Sequence, residues 1–408
     1  MSRRRIIVLG GGIAGLSTAH SLARSQGRSQ GRSQGHSQGQ ASEVEVTLVE
    51  RERRHDAHST GRSAEILRVA VNDPITRALA LETDRLFEDP IAAGLDAESL
   101  VDRTGLLVLN SGAPSWTADL ERRGIVTRPD AASLRRLAPD LREAEDALRL
   151  EGRAYWFERG GRIRGERLVA SLVSSAQRAG VTLLRNAGDA EVVSERGAVR
   201  GVRLHDGRLL DAEDVVVAAG AWSGPMARGL GVDLPLRTTR RHMFMTSPDP
   251  GSAPDSSSDS GSDSDSGRSN TAPVVWDDDA AFYIRREGSR WGISICDVLE
   301  ASTQAPLYPV DPEIERMATE AVAGWVRRPG AALPLERGWS GFRDLSPDDR
   351  PILGPDPRLG GLHWCCGLGG HGMTLSLGLG RAAASAILGQ PTELAAQCTV
   401  GRFESVLA

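Results

Sequence analysis

Glycines 10, 12 and 15, directly behind the apolar run Ile6-Ile7-Val8-Leu9, are the feature that most limits what this chain can become. A continuous apolar run of that length suits a strand buried on both faces of a parallel sheet. Leu16, Ala19, His20, Leu22 and Ala23 then recur at helical spacing. The chemistry gives each glycine a task. Gly10 allows the tight turn, Gly12 lets backbone N–H groups approach a pyrophosphate, and Gly15 lets helix and strand pack closely. The helix N-terminus, at Ile13 and Ala14, adds partial positive charge.

A glycine fingerprint alone is weak, since solvated glycine turns are common. Here an acidic partner accompanies it. Val44, Val46, Leu48 and Val49 form a second strand pattern ending at Glu50, where a ribose-binding carboxylate belongs. The spacing from Gly10 to Glu50 is 40 residues, against about 20 in the fingerprint. The excess is a repeat: residues 24–39 are Arg-Ser-Gln-Gly three times and then His-Ser-Gln-Gly, and taking out these 16 residues leaves 24. Gly, Ser and polar spacers predict a flexible solvated insert there.

Length and composition narrow the class. At 408 residues, 40% apolar and 25% charged, the chain suits two soluble domains. A formal charge of −5 argues against a nucleic-acid partner. No apolar stretch approaches the ~18 residues of a membrane span, and the apolar run behind Arg3-Arg4-Arg5 is too short for a signal peptide. The expected location is the cytoplasm. Cys296, Cys365, Cys366 and Cys398 show no metal-type or disulfide-type spacing.

Further along, the pattern alternates. Thr60–Ser63 reads as a helix start, residues 75–90 as a helix, and Gly105–Leu109 as a strand. Helices follow at 131–141 and 166–180, and a strand at Val181–Leu184. A fully apolar strand at 215–219 runs into Gly220-Ala221-Trp222, placing small residues at the carboxyl edge of a sheet, where α/β folds bind ligands. Residues 237–310 carry alternating strands, interrupted by Asp249–Asn270, whose Ser/Asp/Gly composition predicts disorder. Asp311-Pro312 opens a helix to Val326. Leu362–Cys366 is a strand, 367–372 a glycine loop, and 373–388 a helix rich in small residues.

Taken together, these marks resemble the D-amino-acid oxidase family of flavoproteins, which includes sarcosine, glycine and D-arginine-oxidising enzymes. The marks are the Gly10–Gly15 fingerprint with Glu50, Ser59-Thr60-Gly61-Arg62-Ser63-Ala64, and Ala218-Ala219-Gly220-Ala221-Trp222. They continue with Arg240-Arg241, Phe282-Tyr283, Gly341-Phe342-Arg343 and Gly369-Gly370-His371-Gly372. The resemblance spans nearly the whole chain outside the two inserts. It implies an α/β fold with a Rossmann-like FAD domain in three segments (1–88, 158–235, 339–408). A second α+β domain of mixed or antiparallel sheet would take the rest (89–157, 236–338).

By the same resemblance, Gly10, Gly12, Ile13, Ala14, Gly15, Glu50 and Arg51 hold the adenosine and pyrophosphate end of FAD, with Ala219, Gly220 and Trp222. Arg62, Ser63, Ala64, Gly369, Gly372, Met373 and Thr374 lie along the flavin. Some relatives attach the flavin through a cysteine; Gly341 stands at that position, so FAD is expected to be noncovalent. Arg241 and Arg343 would grip a substrate carboxylate and Tyr283 would hydrogen-bond it, with the Gly370 carbonyl facing the amine. Arg suits such a grip because its planar fork binds bidentately. His371 is the histidine nearest the chemistry. Val274 and Trp276 would line the side-chain pocket, with Ile66 and Val71 where D-arginine-oxidising members have histidine and tyrosine. That loss of polar groups points to a small or apolar amino or imino acid. The implied reaction moves a hydride from the amine-bearing carbon to flavin N5, giving an imine that hydrolyses to a 2-oxo acid. Oxygen or another acceptor would reoxidise the flavin. Two alternatives share these marks: oxidation of a 2-hydroxy acid, and a flavin-binding subunit without turnover of its own.

Overall fold

In the computed structural model the apolar run at 6–9 is the centre of strand Arg4–Leu9, which has parallel neighbours on both sides, Asp214–Val217 and Val44–Val49. The description covers residues 3–30, 44–138, 147–249, 272–304, 309–326 and 333–403. Leu362–Cys366 extends the sheet in parallel beyond Asp214–Val217, Thr182–Leu184 extends it beyond Val44–Val49, and Ile352–Pro355 closes one edge antiparallel. Ile6 and Val8 point to one face and Ile7 and Leu9 to the other, and all four are buried, as two-sided burial requires.

Helix Ile13–Gln30 follows the glycine turn and packs against the last long helix, Gly372–Ile387. The small residues of that last helix make the approach possible. A Cβ on Gly380 would sit 2.4 Å from the Ser17 carbonyl oxygen, and one on Gly378 would sit 2.4 Å from that of Leu79 in helix Pro74–Leu86. Two helices therefore meet the last one backbone to side-chain stub.

The second sheet has eight strands. Its spine runs Leu299–Glu300, Arg237–Thr246, Arg290–Ser294, Phe282–Glu287, Val274–Asp277, Leu106–Leu109, Ala154–Phe157, with Leu335–Leu345 also pairing Arg237–Thr246. All pairings are antiparallel except Val274–Asp277 with Leu106–Leu109, so the sheet is mixed. Helix Pro312–Trp325 covers it through Ile314, Ala318 and Val322; Asp311 caps the helix by accepting the Glu313 N–H at 3.0 Å. The pairing of Leu335–Leu345 puts residues 339–345 in this sheet, on the far side of the boundary expected at 338/339.

Three local expectations change. The first helix continues to Gln30, so the first seven repeat residues are helical rather than loop; residues 31–39 lie outside the described residues. Arg and Gln are good helix formers, and a single Gly costs only about 1 kcal/mol once a helix is running. Thr60–Ser63 is a series of turns, not a helix start. The stretch 131–141 is helical over Ala131–Leu137, and residues 139–141 lie outside the described residues, as do 250–270. Among the described residues no helix is long and apolar enough to cross a membrane.

Candidate functional site

One continuous cleft runs from the glycine turn of the parallel sheet to the strands of the second sheet. At its first end, Gly10 has φ +108, and a Cβ there would lie 2.4 Å from the Ala218 carbonyl oxygen. A Cβ on Gly15 would lie 1.8 Å from the Gly10 carbonyl oxygen. Gly15 thus serves packing from beneath the cleft, while Gly10, Gly12, Ile13 and Ala14 line it. The Ile13 N–H donates to Thr60 Oγ1 at 3.0 Å.

Glu50 ends the second strand where the sequence placed it. One carboxylate oxygen accepts the Gly11 N–H at 2.6 Å and the other accepts the Glu52 N–H at 2.7 Å. Each oxygen retains a lone pair for a hydroxyl. Arg51 lies 4.4 Å over the Trp222 ring, and His58 packs against the same ring at 4.7 Å with the two planes tilted by 55°. Ala219, Gly220 and Trp222 line this stretch, as do two histidines that sequence reasoning passed over. His55 Nε2 and His58 Nδ1 are buried with no partner among the described residues, which marks polar positions for a ligand to satisfy.

In the middle, Arg62 and Ser63 line the cleft, while Ala64 packs against the core beside them. Arg62 Nη1 donates to the Ser340 carbonyl at 3.1 Å, Ser59 Oγ donates to the Phe342 carbonyl at 2.8 Å, and Trp339 Nε1 donates to the Arg62 carbonyl at 3.3 Å. These bonds fasten the turn at 59–63 to strand Leu335–Leu345. Ser63 Oγ accepts the Glu65 N–H, and Glu65 itself has φ +58. A helix cannot propagate through that conformation, which explains the turns.

At the far end, Arg241, Arg343 and Gly370 line the cleft beside Gly372 and Met373, the first residues of the last helix. Arg241 and Arg343 share a face of neighbouring strands. Arg241 spends Nε on the Asp297 carbonyl at 3.0 Å, and neither terminal nitrogen bonds a described residue. Arg343 packs on Gly370, whose Cβ, if present, would be 2.7 Å from both Nε and Nη1. No hydrogen bond joins its guanidinium to a described residue. Burial pushes Arg343 down to about 10, with the Arg241 charge adding to the effect. Gly369 donates its N–H to the Asp344 carbonyl at 2.9 Å, and the Asp344 carboxylate accepts the Gly367 N–H at 2.5 Å. Burial raises Asp344 to about 6. His371, immediately before the helix, is lowered to about 3 by burial and then by Arg68, Arg343 and Arg241.

Tyr283 stacks on Trp276 at 4.6 Å, its direct cross-strand partner. The other expected pocket residues do not line this cleft. Ile66 and Val274 are packed in the core, Val71 is partly buried, and Thr374 uses its hydroxyl to donate to the Ile66 carbonyl at 2.8 Å. Sequence reasoning missed Arg68 and Asp278, an ion pair at 2.9 Å beside Trp276. Nothing in the sequence joins two residues 210 positions apart.

A long cleft with a glycine turn, a strand-end carboxylate and unfilled polar positions fits a dinucleotide. The comparisons agree. The L-proline dehydrogenase from P. horikoshii superposes with a TM-score of 0.77 at 20% identity, over 99% of both chains, which speaks to the fold. In sequence, the chain is 28% identical over 302 residues to a glycine oxidase of Pseudomonas putida, covering 72% of this chain and 71% of that protein. It is 30% identical over 202 residues to a D-amino acid dehydrogenase of Methylobacterium sp. (strain 4-46), covering 49% of this chain and 42% of that protein. The matched stretches thus span less than half to about seven-tenths of those relatives. Residues 5–386 match the DAO family, described as FAD dependent oxidoreductase. The chain belongs to the DAO family of FAD-dependent oxidoreductases.

Proposed function

We propose that this protein oxidises the C–N bond of a small amino or imino acid, held by its carboxylate between Arg241 and Arg343. The observation that carries the reading is the Arg343 guanidinium, which bonds no described residue and is seated on Gly370 next to the helix start at Gly372. A desolvated guanidinium without an acceptor is costly, and a carboxylate is the group whose geometry matches it. Tyr283 and the terminal nitrogens of Arg241 supply further donors. FAD, when bound, supplies the acceptor for the two electrons of the C–H bond. The chain itself binds, orients and polarises. Three guanidiniums depress His371, and the same field favours the neutral form of a substrate amine over its ammonium. The amine then needs no protein base, and the oxidised product, an imine, is hydrolysed by water to a 2-oxo acid with release of ammonia from an amino acid or of the substituted amine from an imino acid.

Ile66 and Val71 stand outside the cleft and so set no limit on the size of the substrate. The charged pair Arg68–Asp278 removes the case for a wholly apolar one. The names of the relatives, glycine oxidase and D-amino acid dehydrogenase, point to the same class of donor. The test is anaerobic reduction of the bound flavin by a panel of amino, imino and 2-hydroxy acids in both enantiomers. Bleaching by amino or imino acids is expected. Bleaching by 2-hydroxy acids alone would transfer the reaction to C–O bonds, and no bleaching by any acid would leave a flavin-binding subunit. Repeating the panel with oxygen separates an oxidase from a dehydrogenase.

A further inference from the structure

Arg68 sits at the same end of the molecule as the Arg241–Arg343 pair, and its donors are mostly unspent. Its guanidinium lies 4.0 Å over the Trp276 ring, and Trp276 stacks on Tyr283. Its side chain is only 14% exposed. Nη2 donates to Asp278 at 2.9 Å, while Nε is buried with no acceptor among the described residues. The Asp278 carboxylate is more fully used, because its other oxygen accepts Asn110 Nδ2 at 3.1 Å. Both partners are therefore fixed, and the spare hydrogen-bonding capacity belongs to the cation. An arginine offers five donors in a planar fork. Stacked on an aromatic face and drawn from water, that fork is an anion receptor more than a structural prop.

The fold places it beside the candidate site. The Arg68 N–H donates to Thr374 Oγ1 at 3.4 Å, in the first turn of the helix whose start at Gly372 and Met373 lines the cleft with Arg343. The ring beneath its guanidinium, Trp276, is the one stacked on Tyr283. A single carboxylate between Arg241 and Arg343 leaves the third guanidinium with its fork open. We propose that the substrate carries a second carboxylate and that Arg68 receives it. The inference rests on the proposed C–N oxidation and narrows its substrate to dicarboxylic amino or imino acids. The second carboxylate can sit on the side chain, as in aspartate or glutamate, or on the nitrogen, as in iminodiacetate. A cationic side chain is disfavoured because it would meet the Arg68 guanidinium, a like charge.

The experiment uses the full chain loaded with FAD and matched pairs of substrates: aspartate against asparagine, glutamate against glutamine, iminodiacetate against sarcosine. The rate of anaerobic flavin reduction per unit substrate concentration should favour the dicarboxylic member of at least one pair by about tenfold or more, as a charge-assisted contact implies. The pair that responds identifies where the second carboxylate sits. In Arg68→Met that ratio should collapse toward one, while Arg68→Lys should keep part of it. Binding without turnover gives a second readout. Malonate or succinate should perturb the flavin absorbance at lower concentration than acetate or propionate, and Arg68→Met should abolish the difference. Equal or better reduction by every monocarboxylic partner, or an undiminished ratio in Arg68→Met, would overturn the inference while leaving the C–N oxidation standing. Arg68-dependent binding of malonate with no flavin reduction by any amino or imino acid would instead keep the second-carboxylate site and overturn the reaction. If Arg68→Met does not retain FAD, the Lys variant and the malonate titration decide the matter.

Discussion

Arg241 and Arg343 stand on one face of two antiparallel strands, a single two-residue step apart: Arg241 faces Gly341, and Arg343 faces Thr239. Diagonal positions of this kind lie roughly 7–8 Å apart, within reach of long side chains. The register of Arg237–Thr246 with Leu335–Leu345 therefore makes the pair, and a slip by one residue would turn one arginine to the opposite face. Glycine opposite Arg241 leaves room beside it, since a Cβ on Gly341 would meet only Arg62 at 3.1 Å.

Replacing Arg343 or Arg241 by Ala should lower kcat/KM by about ten- to several-hundred-fold, from the roughly 1.5–3 kcal/mol of a charge-assisted contact and the carboxylate left unpaired. Lys at either position should recover only part, lacking the fork. The flavin spectrum should remain that of loaded protein. An Arg343→Ala protein with full flavin and unchanged turnover would rule out the clamp.

Attachment of FAD should be noncovalent. Trp339–Pro351 contains no cysteine, and burial raises Cys365, one of two thiols on the cleft, to about 12, keeping it protonated and unreactive. Acid precipitation should leave the yellow colour in the supernatant. Colour in the pellet that survives washing in denaturant would mean a covalent bond.

His371 should stay neutral above about pH 4, because its value falls to about 3. Any rise of kcat/KM between pH 6 and 9 then belongs to deprotonation of the substrate amine. His371→Asn should keep the shape of that profile even if its height changes. Loss of the rise in the variant would make His371 the titrating group.

Asp344 has the opposite sign. Its carboxyl is raised from 3.8 to about 6, so the folded protein holds a proton that the unfolded chain releases between these values. Stability should fall as pH rises across that window, by up to about 3 kcal/mol. Asp344→Asn keeps an acceptor for the Gly367 N–H and never ionises. Its Tm relative to wild type should climb from pH 4 to pH 6 and then level off. A constant difference across that range would show that Asp344 does not titrate there.

The turn at Gly10–Gly15, the carboxylate at Glu50 and the cap at Asp311 were legible because each is local. A few adjacent residue types suffice to fix a φ value, a strand end or a helix start. The proposed clamp came from family motifs alone, since Arg241 and Arg343 carry no local sign of such a role. What stayed hidden depends on distant partners. Arg68 acquires meaning from Asp278 and Trp276, and the turns at 59–63 are held by carbonyls of strand Leu335–Leu345. Helix Ile13–Gln30 shows a further limit, because a repeat that reads as linker continues a helix begun by packed residues before it.

The seam between the turn at 59–63 and Leu335–Leu345 has a consequence for how such a molecule can change. Arg62 to Ser340 and Ser59 to Phe342 bind the cofactor-side turn to the very strand that carries Arg343. On the proposed reading, the distance from carboxylate anchor to redox partner is thereby built into one riveted unit, indifferent to what lies beyond it. Arg68 and Asp278 hang outside those rivets, just after the short strand Ile66–Leu67 and in a turn of the second sheet. On the proposed reading, exchange of that outer pair would revise which molecules are admitted without disturbing the geometry of electron transfer. The cleft is a fixed instrument with an interchangeable mouthpiece.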